Sequence, residues 1–222
     1  MRRILILALF ALLLPFAAHA QTEQQTMVDR ATLTVQDMLG DNGSTDARNM
    51  LRKAKGVMVC PRIFKAGFFF GGEGGGCVMV GRTANGWSNP AFYTLGSGSF
   101  GFQFGIQDAE VLFIVLTQKG LQALLDSQFK VGGDASIAVA TIGGGVSGST
   151  TAALNADIVA FAQTRGLFAG ISVEGSMIST RSDWNQIYYG QPMGAQQLVI
   201  TGGGNNPGAE PLREMLARFS NG

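Results

Sequence analysis

One segment of the chain concentrates side chains that bind phosphate groups. Between Asp46 and Glu73 there is no acidic residue, whereas six basic residues occur there: Arg48, Arg52, Lys53, Lys55, Arg62 and Lys65. Aromatic residues accompany them, at Phe64 and in the run Phe68, Phe69 and Phe70. Basic side chains bind anionic headgroups while aromatic rings reach the acyl boundary of a membrane. The segment therefore predicts a lipid-binding surface made of the six cations and Phe68. The alternative is a solvated basic face with the phenylalanine run in the core.

No set of residues completes a catalytic centre. His19 is the single histidine, and it lies in a segment that we expect to be removed, which excludes an imidazole base and histidine metal ligands. A serine activated by lysine stays possible in principle. Asp108 and Glu110 are two residues apart and so share one side of a strand, where paired carboxylates serve acid–base chemistry or bind a hard cation. Such pairs more often form the solvated end of a strand. We expect no enzymatic activity, no metal and no cofactor.

Two glycine-rich stretches match the pattern G-x-G-x-x-G, at residues 96–101 and 143–148. A dinucleotide site needs this loop between a strand and a helix. The first stretch leads instead into alternating phenylalanines, and the second leads into a run of serine and threonine. With 32 glycines in the chain, chance matches are expected, and neither stretch predicts nucleotide binding.

The first twenty residues have the features of a secretory signal peptide. Arg2 and Arg3 precede an apolar run over 4–17, and Ala18-His19-Ala20 fits a cleavage site for small residues. An uncleaved anchor is the alternative. Without this segment 14 basic residues face 15 acidic ones, which argues against nucleic acid as a partner. We expect an exported protein, located in the periplasm and peripheral to a membrane.

Two cysteines lie near the facing ends of two predicted strands. Cys60 and Cys77 are the only cysteines of the chain, and disulfides persist in exported proteins. The sequence leaves two possibilities open, a disulfide between them or two buried small apolar residues.

The hydrophobic periodicity predicts an α+β fold in which N-terminal helices precede a largely antiparallel sheet or open barrel with short flanking helices. Helices are predicted over 22–39, 44–54, 118–128 and 183–189. Strands are predicted over 57–60, 66–70, 78–82, 91–95, 100–106, 111–116, 136–142, 157–164 and 167–173. One domain is expected over 21–200, with its helical start at 22–54 and its β-rich core at 56–180. Residues 201–222 are predicted to form a glycine-rich linker and a short amphipathic helix, which either docks on the core or is partly disordered.

The order of several motifs resembles the SYLF domain family. The motifs begin with Lys65-Ala66-Gly67 and the glycine run that follows it, and continue with Gly86-Trp87-Ser88-Asn89-Pro90 and the segment to Gln103. They end with Leu154-Asn155-Ala156-Asp157 and with the segment from Gly166 to Gly175. The resemblance extends from about residue 47 to about residue 190.

The resemblance implies a binding module and not an enzyme. SYLF domains associate with phosphoinositide-rich membranes through a basic surface and an amphipathic helix, and the actin-binding domain of yeast actin-patch proteins is related to them. It implies basic contacts at Lys65 and, more loosely, at Arg52, Lys53, Lys55 and Arg62. Family members often carry a basic residue in the glycine run, where this chain has Glu73 and Gly76. For an exported protein, anionic lipids such as phosphatidylglycerol, cardiolipin or lipid A-like phosphates are more suitable ligands than phosphoinositides or actin.

Two other functions remain as alternatives. One is a scaffold that binds a periplasmic protein through Phe64 or the C-terminal helix. The other is a small outer-membrane β-barrel, which the signal peptide, the glycines and the aromatic strands suggest.

Overall fold

The fold is given by a computed structural model that describes residues 22–41, 43–67, 70–100, 105–126, 128–142, 155–165 and 175–221. The helices are α1 (Glu23–Leu39), α2 (Thr45–Leu51), α3 (Gln118–Leu125), α4 (Ser182–Tyr189), α5 (Ala195–Val199) and α6 (Glu210–Asn221). The strands are β1 (Gly56–Gly67), β2 (Phe70–Thr83), β3 (Gly86–Trp87), β4 (Ala91–Phe100), β5 (Gly105–Val115), β6 (Gln128–Lys130), β7 (Ile137–Thr141), β8 (Ile158–Arg165) and β9 (Met177–Thr180). The α+β class predicted from the sequence is confirmed.

Helix α1 forms because its apolar residues recur at helical spacing and its first turn is capped. The Thr22 hydroxyl accepts a hydrogen bond from the Gln25 amide, which satisfies one of the free donors at the start of the helix. Val28, Ala31 and Val35 lie on one face and are fully buried. Helix α2 starts in the same way, because the Ser44 hydroxyl accepts from the Ala47 amide, as the sequence predicted.

The strands form one mixed sheet in the order β6-β9-β4-β2-β1-β5-β8-β7, with β3 paired to β2. Neighbouring strands pair antiparallel, except that β7 and β8 are parallel. The centre of the sheet is the β1–β2 hairpin, which is flanked by β4 on the β2 side and by β5 on the β1 side. The antiparallel character predicted for the sheet therefore holds for its whole centre.

Both faces of the sheet are buried by helices. On one face the side chains of α1, α2 and α6 pack against Val57, Val59 and the same-facing residues of the neighbouring strands. On the other face α3, α5 and the turn after β6 pack against Met58, Cys60 and their neighbours. Alternate residues of the central strands thus enter opposite cores, as the period of two requires.

Strand β1 is longer than the sequence predicted, because residues 61–65 do not form a loop. The register of β1 with β5 shifts between Cys60 and Ile63, and a bulge of this kind accommodates Pro61 without ending the strand. The glycine run 71–76 is also strand, since β2 begins at Phe70 and pairs continuously with β4. The strand predicted over 167–173 and most of the alternating stretch 100–106 lie outside the described residues.

Cys60 and Cys77 are joined by a disulfide that links β1 to β2. Both residues are fully buried in the core under α3 and α5, and their Cα atoms are 4.2 Å apart. In β1 the bond lies directly before the bulge, and in β2 it lies directly after the glycine run, so both features are on the same side of the bond.

The C-terminal segment is docked on the core. The Asn89 side-chain amide donates to the backbone carbonyls of Gly203 and Gly204, which holds the glycine-rich segment before the last helix. Leu212 and Leu216 of α6 are fully buried and belong to the core that α1 covers. No helix in the described part of the chain is long and apolar enough to cross a bilayer.

Candidate functional site

The six predicted cations do not form one surface, because strand β1 carries them apart. Arg48, Arg52, Lys53 and Lys55 precede β1, whereas Arg62 and Lys65 lie in its second half. Lys55 and Lys65 are ten residues apart in an extended chain, which corresponds to about 30 Å at about 3.3 Å per residue. The predicted lipid-binding residues therefore lie at two ends of β1, and each end is described separately.

Three of the cations are exposed together at the junction between α2 and β1. Arg52, Lys53 and Lys55, called here the junction triad, all have exposed side chains. None of the three makes an ion pair with any residue that the structure describes. Their positive charges are thus not compensated locally, and they are available to an anionic surface.

The backbone of the junction triad is fixed by hydrogen bonds. The Lys53 amide donates to the Met50 carbonyl at 3.0 Å, and the Lys55 amide donates to Val115 of β5 at 2.7 Å. The Lys55 carbonyl in turn accepts from the Arg82 amide of β2 at 2.8 Å. The three cations therefore project from a rigid corner, so that little backbone entropy is lost when they bind a ligand.

Arg48, the fourth predicted cation before β1, closes the preceding helix instead of facing solvent. Its guanidinium donates to the carbonyl oxygens of Leu39 and Gly40 and to the Thr45 hydroxyl. It thereby satisfies carbonyls at the end of α1 that have no partner within the helix. We therefore assign Arg48 a structural role, which its sequence spacing on the basic face of α2 did not reveal.

The two cations of β1 each face a carboxylate. Arg62 forms an ion pair with Asp108 of β5 through its Nε atom, 2.7 Å from Oδ2, and it lies over the ring of Phe64 at 5.8 Å. Lys65 is the cross-strand partner of Glu73. Phe64 is 41% exposed, whereas Phe68 lies outside the described residues. We call this region, from Arg62 to Glu73, the hairpin end of the sheet.

A cleft of about 370 Å³ opens beside the hairpin end, between α1 and the β1 bulge. Its lining includes Leu33 of α1, 59% exposed, together with the charged residues Arg30, Asp37, Arg62, Asp108 and Glu110. Asp108 and Glu110 share one side of β5, as predicted, and both line this cleft. Within the described ranges no three potential metal ligands come together, and Asp108 is engaged by Arg62.

The sheet next to the cleft is bare. Gly72 pairs with Gly98 and Gly74 with Gly96, and among the described residues a Cβ atom at these positions would meet nothing closer than a neighbouring strand carbonyl at 3.4 Å. One pair further into the sheet, a Cβ atom on Gly76 would collide with Met27 of α1. Helix α1 therefore covers the sheet as far as Gly76 and does not extend over the glycine pairs of the hairpin end.

The opposite end of the sheet is held by two polar clusters that the sequence analysis missed. Arg82 donates to Leu51 and Ser220 and lies 4.1 Å from the ring centroid of Trp87, and burial lowers its pKa from the ordinary value. Its partners come from α2, α6 and β3, so the contact depends on tertiary structure. The sequence analysis identified the Gly86-Trp87 motif, which supplies the ring of this cluster, but did not identify Arg82.

The second cluster is centred on Asp157, just before β8. Its carboxylate accepts hydrogen bonds from the Thr117 hydroxyl at 2.7 Å and from the amide and hydroxyl of Ser136, and Lys119 lies 3.3 Å away. The hydrogen bond from Thr117 is the largest cause of a pKa held well below the usual range, followed by the amide of Ser136. The cluster ties the starts of α3, β7 and β8 together.

Comparison with known proteins identifies relatives of the chain. The family model described as Ysc84, Las17-binding protein actin regulator, matches residues 96–219. The yeast Saccharomyces cerevisiae protein named LAS seventeen-binding protein 3 is 31% identical over 172 residues, covering 76% of this chain and 37% of the relative. The human SH3 domain-containing YSC84-like protein 1 is 29% identical over 174 residues, covering 78% of this chain and 51% of the relative.

The extent of these matches has two consequences. The chain spans between about a third and about half of the length of the curated relatives it matches, so activities of the whole relatives do not transfer directly. The family-model match starts in β4 and continues through α6. It includes the C-terminal helix, which lies beyond the motifs that first indicated the resemblance, and it does not include the junction triad.

Proposed function

The chain belongs to the Ysc84 family, which the SYLF motifs predicted, and we propose that it is a non-enzymatic module that binds anionic, phosphate-bearing membrane lipids. The observation that supports this proposal is the junction triad, with three exposed cations on a rigid corner that have no ion pair in the described structure. Each basic residue near an anionic surface contributes about 1 kcal/mol. The triad thus provides about 3 kcal/mol, enough for reversible peripheral association.

The same proposal assigns Arg62 and Lys65 a smaller share of the binding. Asp108 and Glu73 reduce the positive potential around them, so the hairpin end attracts an anionic surface less than the triad does. We further propose that the module works outside the cytoplasm, peripheral to a membrane, as the signal sequence suggests.

Co-sedimentation with vesicles tests the proposal. The variant Arg52→Gln/Lys53→Gln/Lys55→Gln should lose about 3 kcal/mol of binding to phosphatidylglycerol vesicles, which is about a 150-fold change in affinity. Binding of the parent should weaken with salt, because the Debye length is about 8 Å at physiological ionic strength. Thermal midpoints should stay nearly equal, since the three side chains are exposed.

A matched control removes the same number of charges elsewhere. Arg30→Gln/Lys130→Gln/Arg218→Gln changes three exposed cations that are scattered over the molecule, and it should bind vesicles almost like the parent. Equal binding by the triad variant and the parent, or equal binding of the parent to neutral vesicles, would refute the lipid assignment.

A protein-binding module is the second candidate, and exposed apolar side chains favour it. Leu33 lines the cleft beside the hairpin end and Phe64 lies next to it, and both are large and exposed. The family description names Las17 binding, which suggests a protein partner for this chain as well. A partner captured from periplasmic extract by the parent, and lost with Leu33→Ser/Phe64→Ser but retained by the triad variant, would favour this function over lipid binding.

A further inference from the structure

A row of polar side chains crosses the sheet at the hairpin end, on the face opposite α1. Lys65, Glu73 and Ser97 are register partners on β1, β2 and β4, and Ser176, directly before β9, continues the row. The next row inward is apolar, since Gly75 pairs with Leu95 and Leu95 with Ile178. Side chains on this face therefore change from polar to apolar within two residues along each strand. The polar row marks the edge of the hydrophobic core.

Glu73 is a buried carboxylate with one oxygen in use. It is 8% exposed, and its Oε1 atom accepts a hydrogen bond from the fully buried hydroxyl of Ser176 at 2.9 Å. Its Oε2 atom is buried and has no hydrogen-bond donor among the residues that the structure describes. A buried carboxylate oxygen without a donor is costly, so an added N–H donor at this position would be strongly favoured.

Lys65 supplies a cation beside this acceptor. Its Cβ atom lies about 5 Å from that of a cross-strand partner, yet Lys65 forms no ion pair with Glu73 or any other described residue. Lys65 and Ser97 are both partly exposed, so solvent reaches the rim of the row. The row thus combines a deep acceptor that lacks a donor with a cation and a hydroxyl at its edge.

We propose that this row binds a zwitterion of the phosphoethanolamine class, which carries a primary ammonium two carbons from a phosphate ester. The ammonium donates to Glu73 Oε2, and the phosphate contacts the Lys65 ammonium and the Ser97 hydroxyl. The site goes beyond the proposed function, because it is about 30 Å from the junction triad and its ligand has no net charge. A lipid headgroup or a soluble phosphoester supplies the same chemistry.

Soluble esters test the site directly on the full chain. Glycerophosphoethanolamine should raise the thermal midpoint in a saturable way, whereas glycerophosphocholine should not, because its quaternary ammonium has no hydrogen to donate. Glu73→Gln keeps the size of the side chain and an acceptor for Ser176 but loses the charge. It should weaken binding of glycerophosphoethanolamine about tenfold to a hundredfold.

Stability of the unliganded protein separates binding from a structural role. Glu73→Gln should leave the midpoint unchanged or raise it, since it removes a buried charge without a full set of partners. Glu214→Gln, on the exposed side of α6, is the matched charge control and should bind like the parent. Equal responses to the two esters, or unchanged binding by Glu73→Gln, would overturn the proposal and leave Glu73 as a link between β2 and the start of β9.

Vesicles distinguish the two sources of the ligand, and they do so independently of the junction triad. The triad variant is mixed with neutral vesicles of phosphatidylcholine, with or without phosphatidylethanolamine. Binding that requires phosphatidylethanolamine and is lost with Glu73→Gln assigns the lipid headgroup. Binding of the soluble ester alone assigns a free phosphoester, and binding of neither refutes the site, even if the parent still binds phosphatidylglycerol vesicles.

Discussion

Both ends of the sheet carry basic residues, but the two ends are built in different ways. At the α2–β1 junction, exposed cations project from a corner in which Arg82, Trp87 and Asp157 lock several elements together. At the hairpin end, the cations face carboxylates, glycines replace side chains, and helix α1 does not extend over the paired Gly72 and Gly98. The disulfide Cys60–Cys77 lies between the two ends.

The difference shows that a run of like charges in a sequence does not define a surface. The cations before β1 and those within it are neighbours in sequence, but an extended strand separates them and gives each group different partners. The junction triad presents its charges from a fixed backbone, so no change of conformation is needed for binding. The hairpin end, with its cleft and polar row, has the groups that would recognise a specific ligand.

The largest expected effect is on stability at the junction end. Trp87 is 2% exposed, and its indole N–H donates to Ser220 while its ring contacts Arg82. Trp87→Ala should lower the free energy of unfolding by about 3–5 kcal/mol, because it leaves a cavity and removes both the hydrogen bond to Ser220 and the ring contact with Arg82. Chemical denaturation measures this change.

Phe64→Ala is the matched aromatic variant at the hairpin end. Because Phe64 is 41% exposed, its removal should change the free energy of unfolding by less than about 0.5 kcal/mol. The structure indicates that Trp87 is packed in the core and Phe64 is not. Similar losses in the free energy of unfolding for the two variants would contradict this difference.

Sequence patterns predicted the elements better than the site. The spacing of Val28, Ala31 and Val35 predicted α1 to within one residue of its start, and Ser44 marked the start of α2 correctly. The glycine run was not predicted as strand, because glycine has a low strand propensity and its role here depends on pairing with β4. The separation of the basic residues was not predicted for a related reason, since strands were predicted only over 57–60 and 66–70, whereas a bulge keeps β1 continuous between them. The role of Glu73 depends on Ser176, which is 103 residues away in the chain, so no local pattern encodes it. The role of Arg48 depends on how the turn after α1 brings the Leu39 and Gly40 carbonyls to its guanidinium, which the spacing of charges does not show.

The second prediction concerns the disulfide that lies between the two ends. Replacing both cysteines, as Cys60→Ala/Cys77→Ala, should lower the free energy of unfolding by about 3 kcal/mol, because the unfolded chain loses a cross-link between residues 17 apart. Denaturant midpoints of the oxidised parent and the double variant give the difference. Two free thiols counted in the native parent under denaturing, non-reducing conditions would contradict this pairing.

A third, smaller effect depends on pH at the junction end. Because the folded-state pKa of Asp157 is lowered, chiefly by the Thr117 hydroxyl, its contribution to stability is complete above the unfolded pKa of about 3.9. It is lost as the pH falls through the folded pKa. Asp157→Asn should therefore destabilise by about 1 kcal/mol at pH 7, and the difference from the parent should shrink below about pH 4.

Asp41→Asn provides the control for this pH experiment. Asp41 is exposed in the turn after α1 and should give a stability profile parallel to that of the parent. A gap between Asp157→Asn and the parent that stays constant from pH 7 to pH 2 would mean that the carboxylate of Asp157 is not preferentially stabilised by the fold.

The smallest effect tests whether carboxylates restrain the cations of the hairpin end. Arg62 and Asp108 are 60% and 37% exposed, so a double-mutant cycle with Arg62→Gln and Asp108→Asn should give a coupling of about 0.2–1 kcal/mol that falls with salt.

Asp108→Asn also leaves the Arg62 charge uncompensated, next to the exposed ring of Phe64. It should therefore strengthen binding to phosphatidylglycerol vesicles at low salt by up to about 1 kcal/mol, a few-fold change in affinity. The gain should disappear when Arg62→Gln is added, because no released cation then remains. Unchanged vesicle binding by Asp108→Asn at low salt would show that ion pairing is not the reason why the hairpin end binds anionic vesicles less strongly than the junction triad does.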